Sequence, residues 1–252
     1  MKHVTLKNEN HIAVLGINRP KLLNALNGDT VNEIGRCIDE INKDNGIPVM
    51  IIYSEKNFAA GADISEMIQC NSEKAMEFHY SSVYNKIEAM KIPTISAIEG
   101  YALGGGMELA LATDIRFAAE NSKMGFPEVS LGLFPGAGGS IRLPKLIGPA
   151  RAKELIFSGE IIDARQANVI GLINRVVDKD QVLSEAVRFA ELIISRSPIA
   201  VKTAKESIQY AMNESDNDKA VMFERKAWAG LFDTQEKEEG MTAFLEKRKP
   251  RF

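Results

Sequence analysis

The sequence predicts an α/β protein with parallel strand pairing, followed by an all-helical C-terminal region. Two observations carry this. Short apolar runs alternate with stretches of helical periodicity up to about residue 195, the pattern of strand–helix units in a parallel sheet. Beyond that point no strand-like run occurs, and the chain reads as helices.

Residues 4–6 and 12–17 predict a hairpin around the polar KNENH, and residues 18–27 a loop rich in Asn and Pro. Val31, Ile34, Ile38 and Ile41 recur at helical spacing. Residues 49–53 predict a short buried strand, 58–64 a small-residue loop, and 75–90 one amphipathic helix. Strands are expected at 94–98 and 115–119, with residues 123–139 rich in loop. A helix covers 150–157. Asp163 with Gln166 forms a capping box for another, ended by Gly171. Residues 173–177 are the last strand. Ser197-Pro198 is an N-cap and first-turn pair.

The chain has 252 residues, of which 45% are hydrophobic, enough for a full core. Its net charge of −3 points away from nucleic acid and membrane surfaces. Two cysteines, Cys37 and Cys70, suit a reducing compartment. The N-terminal MKHVTLKNEN lacks an apolar signal core and no run is long enough to span a bilayer, so a cytoplasmic location is expected.

His3, His11 and His79 form no metal-ligand spacing, and no G-x-S-x-G elbow exists, so no metal site is expected. Gly104–Gly106 is not followed by the Lys-Ser/Thr of a phosphate loop. Gly136-Ala137-Gly138-Gly139 lacks the third glycine of a dinucleotide fingerprint. Carboxylates and backbone amides remain as the chemical groups.

Three segments combine these. FAAGADI, residues 58–64, has little side chain to block a ligand. GYALGGGME, residues 100–108, sets three glycines at the mouth of a short apolar helix, expected over 107–112, with Glu108 as its single acid. Glycine lets a ligand approach the backbone, and helix-start N–H groups favour negative charge. The segment reads as an anion-stabilising backbone pocket beside an acid/base group. MGFPEVSLGLFPGAGGS, residues 124–140, places Glu128 after Pro127, with Phe126, Val129 and Leu131 expected around it.

Together these segments resemble the crotonase family, the enoyl-CoA hydratase/isomerase superfamily. INRPKLLNALN (17–27), FAAGADISEM (58–67), the run from IPTISAIEGYALGGGMELA to FPGAGGSIRL (92–143), AKELIFSGEIIDARQANVIGLINRVV (152–177) and EGMTAFLEKRKPRF (239–252) follow the family order over essentially the whole chain. The resemblance implies a crotonase-like spiral of repeated ββα units over residues 1–195. It implies a helical region over 196–252 for trimerisation and completion of the coenzyme A site. The expected assembly is a homotrimer or a dimer of trimers. The implied substrate is an acyl-CoA thioester, with coenzyme A part of the substrate and no separate cofactor.

By motif position, the backbone N–H groups of Ala62 and Gly105 resemble the family's oxyanion hole, and Glu108 and Glu128 its two catalytic glutamates. Both glutamates together point to a hydratase adding water to a trans-2-enoyl-CoA. The alternatives are a Δ3,Δ2-enoyl-CoA isomerase or a hydratase of branched-chain substrates. Glu108 is assigned to base work on water and Glu128 to proton donation. Ala60, Asp63 and Ile64 match positions along the thioester and pantetheine path. Phe244 and Lys247, in a basic end with Arg248, Lys249 and Arg251, match positions that reach the nucleotide of coenzyme A. Met107 and Phe126 depart from the usual residues beside the glutamates, which bears on acyl-chain fit. Some relatives bind RNA, a role the net charge of −3 does not favour.

Overall fold

The computed structural model describes residues 1–252. β1 (Val4–Glu9) and β2 (Ile12–Ile17) form an antiparallel hairpin with Val4 opposite Ile17. Asn10 and His11, its two turn residues, take φ of 52° and 65°, as a tight hairpin turn of matching twist requires. The Asn27 side chain then caps α1 (Gly28–Ile41) by accepting from the Thr30 N–H at 3.0 Å. Val31, Ile34, Ile38 and Ile41 are its buried face. β3 (Val49–Tyr53) follows, with its first four residues buried.

The single helix expected over 75–90 is instead interrupted. α2 (Ile64–Met67) and α3 (Ser72–Met76) are short, and α4 (Tyr80–Glu88) starts afresh after His79. The reason is packing. α4 buries Tyr80, Val83, Tyr84 and Ile87 at helical spacing, and the Tyr80 hydroxyl donates to the Leu26 carbonyl at 2.7 Å. Residues 71–77 are all exposed, so no apolar stripe continues that face upstream.

β4 (Thr94–Ile98) is buried throughout and leads to β5 (Tyr101–Leu103) and α5 (Gly105–Leu111). β6 (Ile115–Ala119), β7 (Lys123–Gly125), a 3-10 turn (Pro127–Leu131), α6 (Gly139–Ile147) and α7 (Pro149–Ser158) come next. Then come β8 (Ile161–Asp163), α8 (Ala164–Val169), β9 (Arg175–Val177) and α9 (Val182–Ile194). The predicted capping box is present: Asp163 accepts from the Gln166 N–H at 2.8 Å, and Gln166 Oε1 accepts from the Asp163 N–H at 3.0 Å. The expected loop over 123–139 holds β7 and the 3-10 turn, and α6 begins at its end.

The larger sheet runs β1-β2-β3-β4-β6-β9, parallel except for the hairpin. The smaller runs β5-β7-β8, and Ala59 bridges to Ala102 beside it. Successive pairs therefore repeat one path: β4 enters the large sheet, β5 the small one, and α5 returns. β6, β7 and α6 do the same. This is the ββα repetition of the expected fold. The central strands carry near-continuous apolar residues because both faces are covered.

The chain forms two compact units, Met1–Met90 with Thr94–Val187, and Lys91–Pro93 with Arg188–Phe252. The second holds α10 (Pro198–Asn213), α11 (Asn217–Gly230) and α12 (Gln235–Leu245). Ser197 caps α10 by accepting from the Ala200 N–H at 3.0 Å, with Pro198 in its first turn. Tyr210 and Phe223 stack at 4.1 Å between ring centroids. Lys205 Nζ donates to the Ile92 carbonyl at 2.8 Å. No helix is long and apolar enough to cross a membrane.

Candidate active site

The site is built where β5 turns into α5. At Gly106 an added Cβ would collide with the Ala59 carbonyl, so only glycine lets the start of α5 press against the 58–62 loop. The short helix is entirely buried, Glu108 included, at 3% exposure. A carboxylate in such a place is costly without partners, and it has them. Oε1 accepts from the N–H groups of Ala137 and Gly139, both at 2.7 Å. Gly138 lies between these two donors with φ of 109°, a conformation that turns successive amides toward one acceptor.

Glu128 is the second residue of the 3-10 turn, entered through Pro127. It is half-buried, and its Oε2 is buried without any hydrogen-bond partner. Its other oxygen lies against Gly104, where an added Cβ would stand 2.9 Å away. Burial first, and the neighbouring Glu128, hold the Glu108 carboxyl up at about 7 against the downward pull of the Gly139 and Ala137 amides and Arg142. Burial also pushes Glu128 up. The two carboxyls therefore resist joint ionisation. The oxygens differ in their partners: two N–H donors stabilise the Glu108 anion against that burial, and the Glu128 Oε2 has none.

The backbones of Ala62 and Gly105 lie close together. A Cβ added to Gly105 would lie 3.5 Å from the Ala62 nitrogen. Bonds on either side of Ala62 fix it: the Leu26 N–H donates to the Gly61 carbonyl at 2.8 Å, and the Asp63 N–H to the Leu26 carbonyl at 2.7 Å. Neither the Ala62 nor the Gly105 N–H donates to an acceptor within the protein. Such free, rigid donors beside two carboxylates can bind a developing oxyanion.

The Ala60 N–H donates to the Leu23 carbonyl at 3.1 Å, and Ile64 is 47% exposed beside it. The Asp63 carboxylate is engaged with the Ser65 N–H and hydroxyl and with Arg19 at 2.9 Å. Those hydrogen bonds, Ser65 first, hold its carboxyl below the usual range. Its side chain thus anchors the loop that carries Ala62. In the second unit, Phe244 is 82% exposed near the end of α12, and Lys247 follows with φ of 58°. The basic end is partly neutralised within that unit, because Arg248 pairs with Glu239 and Glu246, each at 2.6 Å.

One expectation needs correction. Leu131 does not surround Glu128: it is exposed, because the 3-10 turn directs it outward. Phe126 and Met107 are fully buried. Four contributors went unnoticed in the sequence. Ala137 and Gly139 hold Glu108, Tyr84 bonds the Gly105 carbonyl, and Arg142 bonds the Ala137 carbonyl. The signal for the first two was the GAGG run, whose glycines serve a side-chain carboxylate.

The enoyl-CoA hydratase/isomerase family profile matches residues 7–252. The crotonyl-CoA hydratase of Syntrophomonas wolfei is 44% identical, over 100% of this chain and 98% of its own length. The short-chain-enoyl-CoA hydratase of Clostridium acetobutylicum is 43% identical, over 99% and 97%. The crystal structure of an enoyl-CoA hydratase from Bacillus anthracis superposes with a TM-score of 0.95 at 37% identity, covering 99% of this chain and 98% of that one. The chain belongs to the enoyl-CoA hydratase/isomerase family, and its fold is the crotonase fold.

Proposed function

We propose that the chain is an enoyl-CoA hydratase, a hydro-lyase that adds water reversibly to a trans-2-enoyl-CoA to give a 3-hydroxyacyl-CoA. The observation that carries the reading is the pairing of unequal carboxylates. Glu108 has one oxygen held by two N–H groups, and Glu128 has one oxygen without a partner. The similarity to hydratases of crotonyl-CoA and short-chain enoyl-CoAs supports a short acyl chain.

In this reading the thioester oxygen accepts from the Ala62 and Gly105 N–H groups. Attack of water on C3 moves the double-bond electrons toward that oxygen, and the enolate charge develops between the two donors. One such donor is worth roughly 10²–10³ in rate. Glu108, whose anion the Ala137 and Gly139 N–H groups stabilise, takes a proton from the attacking water. Glu128 delivers its proton to C2. One proton enters the site on Glu128 and one leaves the water on Glu108, so the pair returns to its starting charge when they exchange. Ala60, Asp63 and Ile64 line the thioester approach, the Asp63 side chain acting through the loop it anchors. Phe244 and Lys247 reach the nucleotide of coenzyme A in a homotrimer or a dimer of trimers formed through the helical 196–252 region.

Purified protein is mixed with crotonyl-CoA, and the loss of absorbance of the conjugated thioester is followed. Formation of 3-hydroxybutyryl-CoA supports the reading. A shift of the double bond without uptake of water would assign the chain to isomerisation instead.

A further inference from the structure

Helix α4 touches both halves of this site, and nothing in the chemistry above uses it. Its Tyr84 hydroxyl, fully buried, donates to the Gly105 carbonyl at 2.9 Å. One residue later, Asn85 Oδ1 accepts from Arg142 Nη2 at 2.6 Å. One turn after Tyr84, Glu88 Oε2 accepts from Arg142 Nε and Nη2 at 3.0 and 2.8 Å. Arg142, only 9% exposed, spends its remaining reach on the Ala137 carbonyl at 3.2 Å. The Ala137 N–H is one of the two donors to Glu108.

We propose that α4 is a bracket that sets the relative position of the oxyanion amide and the catalytic carboxylate, with Tyr84 holding Gly105 and the Asn85–Glu88–Arg142 cluster holding the Ala137–Gly139 turn. The inference rests on the hydratase reading above. Its physical basis is that two peptide segments far apart in sequence are tied to one rigid element within a single helical turn. Each segment has glycine where its backbone has the most freedom: α5 is a short helix entered through glycine, and the Ala137–Gly139 turn has glycine at two of its three positions. A misplacement of about 1 Å costs on the order of 10² in rate when reacting groups are held by geometry. Tyr84 and Arg142 are positioning residues, since neither is placed against the substrate.

The bracket also has an electrostatic consequence. Arg142, Glu128 and the Tyr84 hydroxyl are the titratable groups that face Glu108 from the elements packed around it, with Glu88 behind Arg142. Loosening Arg142 withdraws a cation that favours the ionised Glu108, so the carboxyl then loses its proton at higher pH.

The test uses the whole protein and three variants. Asn85→Ala/Glu88→Gln changes two exposed side chains on α4 and frees Arg142 without opening a cavity. Tyr84→Phe removes one hydroxyl at constant shape. Arg142→Gln removes the link itself. Wild-type activity on crotonyl-CoA is measured first; if it is absent, the hydratase reading fails and the bracket is not what has been refuted. With an active wild type, Asn85→Ala/Glu88→Gln and Tyr84→Phe are expected to lower kcat by roughly tenfold or more, with KM within about twofold. The pH profile of Asn85→Ala/Glu88→Gln moves to higher pH, and that of Tyr84→Phe moves less. Arg142→Gln, if it folds, gives the largest shift. Folded Asn85→Ala/Glu88→Gln and Tyr84→Phe proteins with kcat within about twofold of wild type and an unmoved pH profile would overturn the bracket.

Discussion

Replacing Glu108 by Gln separates what this carboxylate costs the fold from what it does for chemistry. The variant keeps a carbonyl oxygen where Ala137 and Gly139 donate at 2.7 Å, so the two amides stay satisfied. It loses only the charge. In the folded wild type the carboxyl is pushed from 4.5 to about 7, first by burial. The gap is 7 − 4.5 = 2.5 pH units, and at about 1.36 kcal/mol per unit the ionised, folded protein carries a penalty of about 3 kcal/mol. The sign follows from proton counting. Between 4.5 and 7 the folded state binds the proton and the unfolded state does not, so stability falls as pH rises through that window. Below it, both states are protonated and the penalty is absent. Denaturant unfolding of wild type and Glu108→Gln at pH 4 and pH 8.5, at equal protein concentration, measures the difference. The advantage of the Gln variant should grow by about 3 kcal/mol from the lower to the higher pH. An advantage that stays constant with pH would refute the assignment of a buried, elevated carboxyl to Glu108.

Other outcomes follow from the same geometry. Glu128→Gln removes the neighbouring charge that raises Glu108, so the Glu108 carboxyl should titrate below about 7, read by carboxyl infrared or carbon NMR. The wild-type kcat should be a bell in pH, active while the pair holds one proton and falling on the alkaline side as that proton leaves; a profile that keeps rising above pH 9 contradicts the shared proton. Gly106→Ala drives a methyl into the Ala59 carbonyl and should abolish turnover and lower the thermal midpoint, whereas an active, stable variant would contradict the close approach. Arg19→Gln breaks the pair with Asp63 and should cost about 2 kcal/mol near neutral pH. Because the Asp63 carboxyl is held below its usual value, that cost is present above about pH 4 and fades as pH falls through the folded value, which paired unfolding curves at pH 7 and pH 3 will show.

The strands that bury both faces could be read directly from the sequence. Val49–Tyr53 is a continuous apolar run, and Thr94–Ile98 and Ile115–Ala119 are apolar apart from Thr94, Ser96 and Arg116. The smaller sheet could not. Tyr101–Leu103, Lys123–Gly125 and Ile161–Asp163 have three residues each, too few to show a period, and only their pairing defines them. α6 was hidden by the glycines at its start and by Pro144 inside it. The two glutamates stood out because each is an isolated acid among apolar and small residues. The donors to Glu108 did not, because a backbone N–H has no letter of its own. The contacts of Tyr84 and Arg142 span 21 and 5 residues, and the Arg142 pairs with Asn85 and Glu88 span 57 and 54; no local pattern announces contacts at those separations.

In the proposed reaction two carboxylates share the addition of water. Steady-state hydration of crotonyl-CoA by wild type, Glu108→Gln and Glu128→Gln tests it most directly, with far-UV circular dichroism confirming that each is folded. Each single variant is expected to lose at least ~10²-fold in kcat, the scale of general acid–base catalysis. A folded Glu108→Gln protein that hydrates crotonyl-CoA at the wild-type rate would contradict it.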